Sequence, residues 1–228
     1  MTYGPAARDR FLLSPIGIFG GTFDPIHYGH LRLAEEAREA LALDQVLLIP
    51  SGQPPHRDLP QTPADLRLAM ARLAVAGSAS IVVDPAEAES PTPSYSVLTL
   101  ERLRAKFGPA RPLVLLLGAD AFAGLPSWHR WRELFALAHV AIASRPGHPP
   151  HAPAERLPAP LSAECSPRFC SHADDLLSAP AGRVLPFDMT PLAISASLIR
   201  AQLAAGRSVR YLLPDSVLDY ILSHHLYA

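Results

Sequence analysis

"GIFGGTFDPIHYGH", residues 17–30, runs from an apolar strand pattern into two glycines, an Asp-Pro step and a pair of histidines. An amphipathic helix pattern begins directly behind it. Strand, glycine-rich turn and helix N-terminus in that order open a βα unit, and such a turn can bring backbone N–H groups close to an anion. The spacing fits neither G-x-G-x-x-G nor a G-K-[ST] phosphate loop. His27 falls just ahead of the helix and His30 in its first turn, so both can face a ligand above the strand end. A helix N-terminus disfavours imidazolium yet favours an incoming anion, which suits these rings to donating hydrogen bonds to phosphate oxygens. The plainer alternative is an ordinary strand-to-helix turn with solvent-facing histidines. A zinc pair is the weaker alternative, since no third ligand stands nearby.

Outward from this turn the βα pattern recurs. "PIGIF" predicts a first strand and "HLRLAEEAREALAL" a helix with Leu31, Ala34 and Leu41 on one side. "QVLLIP" predicts a second strand closed by Pro50, followed by the turn-rich loop "SGQPPHRDLPQ". Thr62-Pro63-Ala64-Asp65 reads as an N-cap, a proline at the first helical position and an acidic first turn. The helix it opens, "LRLAMARLAVA", ends at Gly77. "SIVVD" is a third strand, ahead of the loop "PAEAESPTPSYS" and the helix "VLTLERLRAKF". "PLVLLL", the most apolar strand, is expected at the centre, because a strand covered on both faces reads as a continuous apolar run. "GADAFAGLPSWHRWRELFALA" reads as a short turn plus a helix, and "HVAIAS" as a fifth strand.

After Arg145-Pro146-Gly147 periodicity is lost until "RVLPF". Residues 148–182, rich in Pro, Ser, Ala and His, are expected to be a surface insertion that is partly mobile. "SASLIRAQLAAG" and "LPDSVLDYILSHHL" predict a helical C-terminal part over 195–228. The whole predicts one α/β domain spanning 1–228, a doubly wound, mostly parallel Rossmann-like sheet with a small helical C-terminal appendage. Ligands of such a sheet bind beyond the carboxyl ends of the strands, near the switch point. Three segments there carry unusual chemistry: Gly20 to His30, Gly118 to Asp120, and the residues before Arg200.

The chain has 228 residues and a net charge of −1, so no general basic field points to a nucleic-acid polymer or an anionic membrane. Any phosphate must be held by local geometry. Its only lysine is Lys106. Cys165 and Cys170 are too few for a disulfide framework, and no apolar run reaches the length of a membrane span, so a cytoplasmic protein is expected. With His172 the cysteines could form an incomplete metal site, but without strong metal-ligand spacing they read as unpaired loop residues and no metal site is assigned.

"GGTFDPIHYGH" resembles the signature of class I nucleotidyltransferases, whose H-x-G-H motif stands here as His27-Tyr28-Gly29-His30. Within that class the chain looks most like the bacterial nicotinate-nucleotide adenylyltransferases. Phosphopantetheine adenylyltransferases usually carry threonine where His27 stands, in shorter chains. "QPPHR", ending at Arg57, is similar to the family's P-P-H-K loop, with arginine keeping the charge and adding a fork suited to phosphate. "SYSVLTLE" from Ser94 resembles an S-Y-T-x-x-T segment, with serine at 96 retaining the hydroxyl. "LLLGADAFAGLPSWHRW" resembles a G-x-D…W-x-x-W segment, and "ISASLIR" an I-S-x-S-x-x-R motif.

The resemblance implies transfer of the adenylyl group of ATP to nicotinate mononucleotide, giving nicotinate adenine dinucleotide and pyrophosphate on the way to NAD. It implies that Gly20, Gly21, Thr22 and Phe23, with His27 and His30, hold the triphosphate, and that Ile194, Ser197 and Arg200 close over it. His27, His30 and Arg200 are then the catalytic candidates. Gly118 and Asp120 would meet the adenosine ribose, Arg57 the acceptor's phosphate, Trp128 the pyridine ring, and Tyr95 and Ser96 its carboxylate. Mg²⁺ is expected with ATP. Each role has a plainer counterpart: Trp131 rather than Trp128 as the core aromatic, Asp120 as a helix cap, Tyr95 as packing under its loop. The amide mononucleotide, dual specificity and a non-catalytic nucleotide sensor are the alternative functions. Oligomeric state, including a homo-oligomer, stays open.

Overall fold

The computed structural model describes residues 14–53, 60–143 and 157–228. Strands β1 (Ile16–Gly21), β2 (Gln45–Pro50), β3 (Ile81–Val83), β4 (Leu113–Gly118), β5 (His139–Ala143) and β6 (Val184–Phe187) form one sheet in the order β3-β2-β1-β4-β5-β6. Every neighbouring pair is parallel. The chain winds outward from β1 to β3, returns to the far side of β1 as β4, and continues to the other edge. The carboxyl ends of β1 and β4 therefore flank the switch point, where the loops diverge and leave a crevice.

The helices are α1 (Tyr28–Ala40), α2 (Ala64–Ala74), α3 (Ser96–Phe107), α4 (Ala119–Ala123), α5 (Leu134–Leu137), α6 (Ala159–Cys165), α7 (Ala196–Ala204) and α8 (Asp215–Ser223). They cover both faces of the sheet, and β4 shows why its sequence is uniformly apolar. Val114 and Leu116 face a core shared with Leu33 and Ala37 of α1, Met70 of α2, Ile199 of α7 and Val217 of α8. Leu113, Leu115 and Leu117 face the opposite core with Val97, Leu100 and Leu103 of α3 and Leu161 of α6. Each leucine so enclosed contributes about 1.5–3 kcal/mol by leaving water.

Four local readings change. α2 begins one residue later than its cap signal suggests: Pro63 is the N-cap, and Thr62 is buried with its carbonyl turned to Arg67. The stretch after Gly118 is not a turn plus one helix. It is α4, two 3-10 turns (Leu125–Ser127 and Trp131–Glu133) and the single turn α5, with Arg130 left-handed between them. "RVLPF" supplies a sixth strand at the sheet edge.

Within 148–182, the described residues 157–182 are not loop throughout. They hold α6 and two further 3-10 turns, and bury Leu161, Cys165 and Leu176 completely. Burial pushes the Cys165 thiol up to about 12, which leaves it an unreactive apolar filler. His139, at the start of β5, anchors the end of this segment. Its Nε2 donates to the Ala179 carbonyl at 2.9 Å and its Nδ1 accepts from the Arg183 N–H at 3.0 Å. No helix among the described residues is long and apolar enough to cross a membrane.

Candidate active site

β1 ends in a turn that packs on itself before it opens into α1. Phe23 adopts φ 49°, an uncommon conformation for an aromatic residue, and is held there by burial. Its ring sits edge-on to Phe19 at 5.5 Å and to His30 at 5.0 Å. His27 is the N-cap of α1, with extended backbone, and its N–H donates to His30 Nδ1 at 3.3 Å. The two rings stack at 3.7 Å with planes 22° apart. The H-x-G-H spacing is what permits this, since residues three apart at a helix start lie one above the other. His27 is only 4% exposed, which removes the plainer alternative of a solvent-facing ring at that position.

The glycines differ in purpose. A Cβ on Gly20 would meet nothing within 4 Å, so the space above that residue is open. A Cβ on Gly29 would stand 3.0 Å from His27 Nδ1, 3.1 Å from its Cε1 and 3.5 Å from the Ile194 carbonyl oxygen. The missing side chain at 29 is therefore what lets the His27 ring lie against the helix start, with the Ile194 backbone beside it.

Residues 194–200 thus meet the first turn of α1 in space. Ser195, unremarked in the sequence, is the N-cap of α7, its Oγ accepting from the Leu198 N–H at 3.2 Å. Ser197 is the second residue of the helix and accepts from Arg200 Nη2 at 3.4 Å. Arg200 Nη1 donates to the Asp24 carbonyl at 2.7 Å. Its Nε is buried and, among the described residues, donates to nothing. The N-terminal ends of α1 and α7, each the positive end of a helix dipole, stand side by side here, with Tyr28 N–H donating to the Leu212 carbonyl at 3.0 Å and Leu198 N–H capped by Ser195.

The remaining predicted residues lie on the neighbouring loops. Gly118 ends β4 and caps α4, with the exposed Asp120 in its first turn. Tyr95 caps α3, Ser96 opens it, and the Tyr95 ring lies 4.6 Å from that of His129. Trp128 is half-buried, whereas Trp131 is 7% exposed and packs edge-on against Phe135. So Tyr95 meets His129, the neighbour of Trp128, from a distant part of the sequence. Arg57 lies outside the described residues.

Three supporting residues escape a sequence reading. Asp24, 5% exposed, accepts at Oδ2 from the Gln61 N–H at 2.9 Å and at Oδ1 from the Tyr227 hydroxyl. Burial and that bond hold the Tyr227 phenol well above its usual range. Arg67, 1% exposed, donates to the carbonyls of Thr22 at 2.6 Å, Thr62 at 3.0 Å and Gly52 at 3.1 Å. Burial lowers its guanidinium from the ordinary value, opposed by the nearby Asp24 carboxylate. In the sequence Arg67 is one more arginine on an amphipathic helix, and no local pattern separates it from Arg72.

Among the described residues no three His, Cys, Asp or Glu side chains group so as to hold a metal ion. The groups brought together are helix starts, a guanidinium and two imidazoles, which is chemistry suited to an anion. Residues 18–202 match the cytidylyltransferase-like family. The chain is 57% identical over 213 residues to "Probable nicotinate-nucleotide adenylyltransferase" of Dechloromonas aromatica (strain RCB), covering 93% of this chain and 97% of that one. It is 48% identical over 213 residues to the protein of the same name from Pseudomonas aeruginosa (strain UCBPP-PA14), covering 93% and 96%. Among solved structures, the fold is similar to that of Plasmodium falciparum nicotinic acid mononucleotide adenylyltransferase complexed with NaAD. There the TM-score is 0.67 at 18% identity, over 94% of this chain and 97% of that one.

Proposed function

The chain belongs to the nicotinate-nucleotide adenylyltransferases, and from that membership we propose that it transfers the adenylyl group of ATP to nicotinate mononucleotide. A 5′-phosphate oxygen of the mononucleotide attacks the α-phosphorus of ATP in line. The bond from that phosphorus to the β-bridging oxygen breaks, pyrophosphate leaves with the electron pair, and nicotinate adenine dinucleotide forms. No protein nucleophile or base is required, because an ionised phosphate is already nucleophilic. The protein supplies placement and charge stabilisation.

One observation carries this reading: the start of α7 meets the start of α1, with Arg200 bonded to the Asp24 carbonyl and Ile194 against Gly29. A triphosphate entering above Gly20 would meet the starts of both helices, the imidazoles of His27 and His30, the Ser197 hydroxyl and the Arg200 guanidinium. As negative charge builds on the leaving pyrophosphate, His30 and Arg200 would strengthen their hold on it. Gly21, Thr22 and Phe23 would bring the turn against the phosphates, and Gly118 and Asp120 the ribose. A divalent cation bound with ATP, expected to be Mg²⁺, would supply further charge neutralisation on the triphosphate.

On the acceptor side, Arg57 would take the phosphate of the mononucleotide. Trp128 would stack on the pyridine ring, and Tyr95 and Ser96 would stand by its carboxylate. The test is pyrophosphate release from ATP with nicotinate mononucleotide, its amide and phosphopantetheine compared as acceptors. Preference for the nicotinate form is expected. Preference for phosphopantetheine would overturn the acceptor, and ATP binding without release in every arm would leave a nucleotide sensor.

A further inference from the structure

We propose that Arg67 is a positioning residue for the transfer step, holding the turn after β1 in a fixed relation to Gly52 and Thr62, the two described ends of the loop after β2. The inference rests on the adenylyl-transfer reading above. The guanidinium is almost wholly buried and its three hydrogen bonds end in three different segments. Thr22 belongs to the turn assigned to the triphosphate. Gly52 opens, and Thr62 closes, the stretch that contains Arg57, assigned to the acceptor's phosphate. One rigid, planar fork therefore ties the two halves of the reaction together from beneath.

The choice of arginine follows from this geometry. Its five N–H donors point in fixed directions, and its charge survives burial. Hydrogen bonds from a charged donor to carbonyls are stronger than neutral ones, so all three segments are held firmly. Each ligand is gripped mainly by its own loop, but in-line attack depends on the gap between the two. The reacting atoms must come within about 3–3.5 Å, and a 1 Å misplacement can cost about 10²-fold. A residue that sets the gap without touching either ligand should govern turnover more than binding. Asp24 adds a second tie between the same two segments, accepting from the Gln61 N–H and the Tyr227 hydroxyl, so the Arg67→Lys variant keeps the turn attached while losing the fork that sets its geometry.

The experiment compares the wild type with Arg67→Lys and Arg67→Met by steady-state pyrophosphate release, alongside equilibrium binding of a non-hydrolysable ATP analogue and thermal unfolding. Lysine keeps the charge but lacks the planar fork. With Arg67→Lys folded at the assay temperature, kcat is expected to fall about 10- to 100-fold while KM for each substrate and the analogue's Kd move less than about threefold. Arg67→Met is expected to lose more in both kcat and stability. The proposal is overturned if folded Arg67→Lys keeps kcat within about twofold of the wild type. It is also overturned if the loss falls on KM for one substrate alone, or disappears when the assay is cooled well below the variant's unfolding temperature. A wild-type chain that releases no pyrophosphate overturns the functional reading first, so the two failures are told apart.

Discussion

Arg200 reaches across 176 positions of sequence to donate from Nη1 to the backbone carbonyl of Asp24 at 2.7 Å. That single bond joins the helix start at the C-terminal end of the chain to the turn after the first strand. A charged donor on a carbonyl is worth about 1.5–3 kcal/mol, enough to keep α7 docked before any ligand arrives. The candidate site is thus pre-organised on one side: two helix N-termini are already docked, and in the proposed reaction a nucleotide would not have to pull them together. Pre-organisation of this kind lowers the cost of binding and leaves the groups ready for charge that develops during the reaction.

In the proposed reaction His30 would act on that developing charge. Its ring is oriented from three sides, by the His27 N–H on Nδ1, by the stacked His27 ring and by the edge of Phe23. Because Nδ1 accepts, Nε2 carries the proton and can donate to a phosphate oxygen. His30→Ala is expected to lower kcat by about 10²-fold or more with a smaller change in KM for ATP, read by pyrophosphate release. Turnover near that of the wild type would remove His30 from the reaction.

Gly29→Ala should separate activity from stability. Alanine in the first turn of α1 gains helix propensity, up to about 1 kcal/mol over glycine. The new methyl, however, would stand 3.0 Å from His27 Nδ1, tighter than ordinary contact, and would tilt that ring away from His30. The expected result is an unfolding midpoint within about 0.5 kcal/mol of the wild type and kcat down by about tenfold or more. If kcat is unchanged, the stacked pair is not needed in its present geometry.

How much of this was legible follows from range. Five of the six strands were readable because they announce themselves locally: the unbroken apolar run of β4 suits a strand covered on both faces, and β4 lies beside β1 at the centre, whereas the four-residue edge strand β6 did not stand out. The H-x-G-H and I-S-x-S-x-x-R segments were readable as motifs, and the meeting of Gly29 with Ile194 gives them a common location. Asp24, Arg67 and Tyr227 were not readable. Their bonds span 5 to 203 positions, and most end on backbone carbonyls or N–H groups, which any residue could offer. No periodicity records such a bond. The stretch 119–137 misled for a different reason: its apolar residues keep a helix-like spacing, while Gly124, Pro126 and the left-handed Arg130 break the backbone into short turns.

Tyr227 gives a stability prediction with a defined sign. Its hydroxyl donates to the buried Asp24 carboxylate, and Phe at 227 removes that donor without changing the packed ring. Tyr227→Phe is expected to lose about 1–3 kcal/mol in denaturant unfolding. The folded phenol titrates above its ordinary value, so the folded state holds this proton more tightly than the unfolded state. The contribution is full below the unfolded value of about 10 and is lost as pH rises through it, because the unfolded chain ionises first. The wild type should therefore lose stability between about pH 9.5 and 11 more steeply than Tyr227→Phe. Equal slopes would mean that the phenol is not held as described.

At the other end of the scale, His139 should dominate the acid side. It is buried, and desolvation lowers its imidazole below the usual histidine value; Nδ1 is already occupied in accepting the Arg183 N–H. Protonation would turn that acceptor into a second donor facing a donor. The unfolded chain takes up the proton near pH 6.5, whereas the folded chain resists it, so stability is present above about pH 6.5 and falls below it, by up to about 1.4 kcal/mol per pH unit. His139→Gln can keep one donor and one acceptor but carries no titrating group. Denaturant midpoints measured from pH 7.5 down to 5 should fall more steeply in the wild type than in His139→Gln. The variant should also be less stable at pH 7.5, since an amide cannot reach both Ala179 and Arg183 from the place of the ring. An unchanged acid slope in the variant would assign the loss to the carboxylates instead.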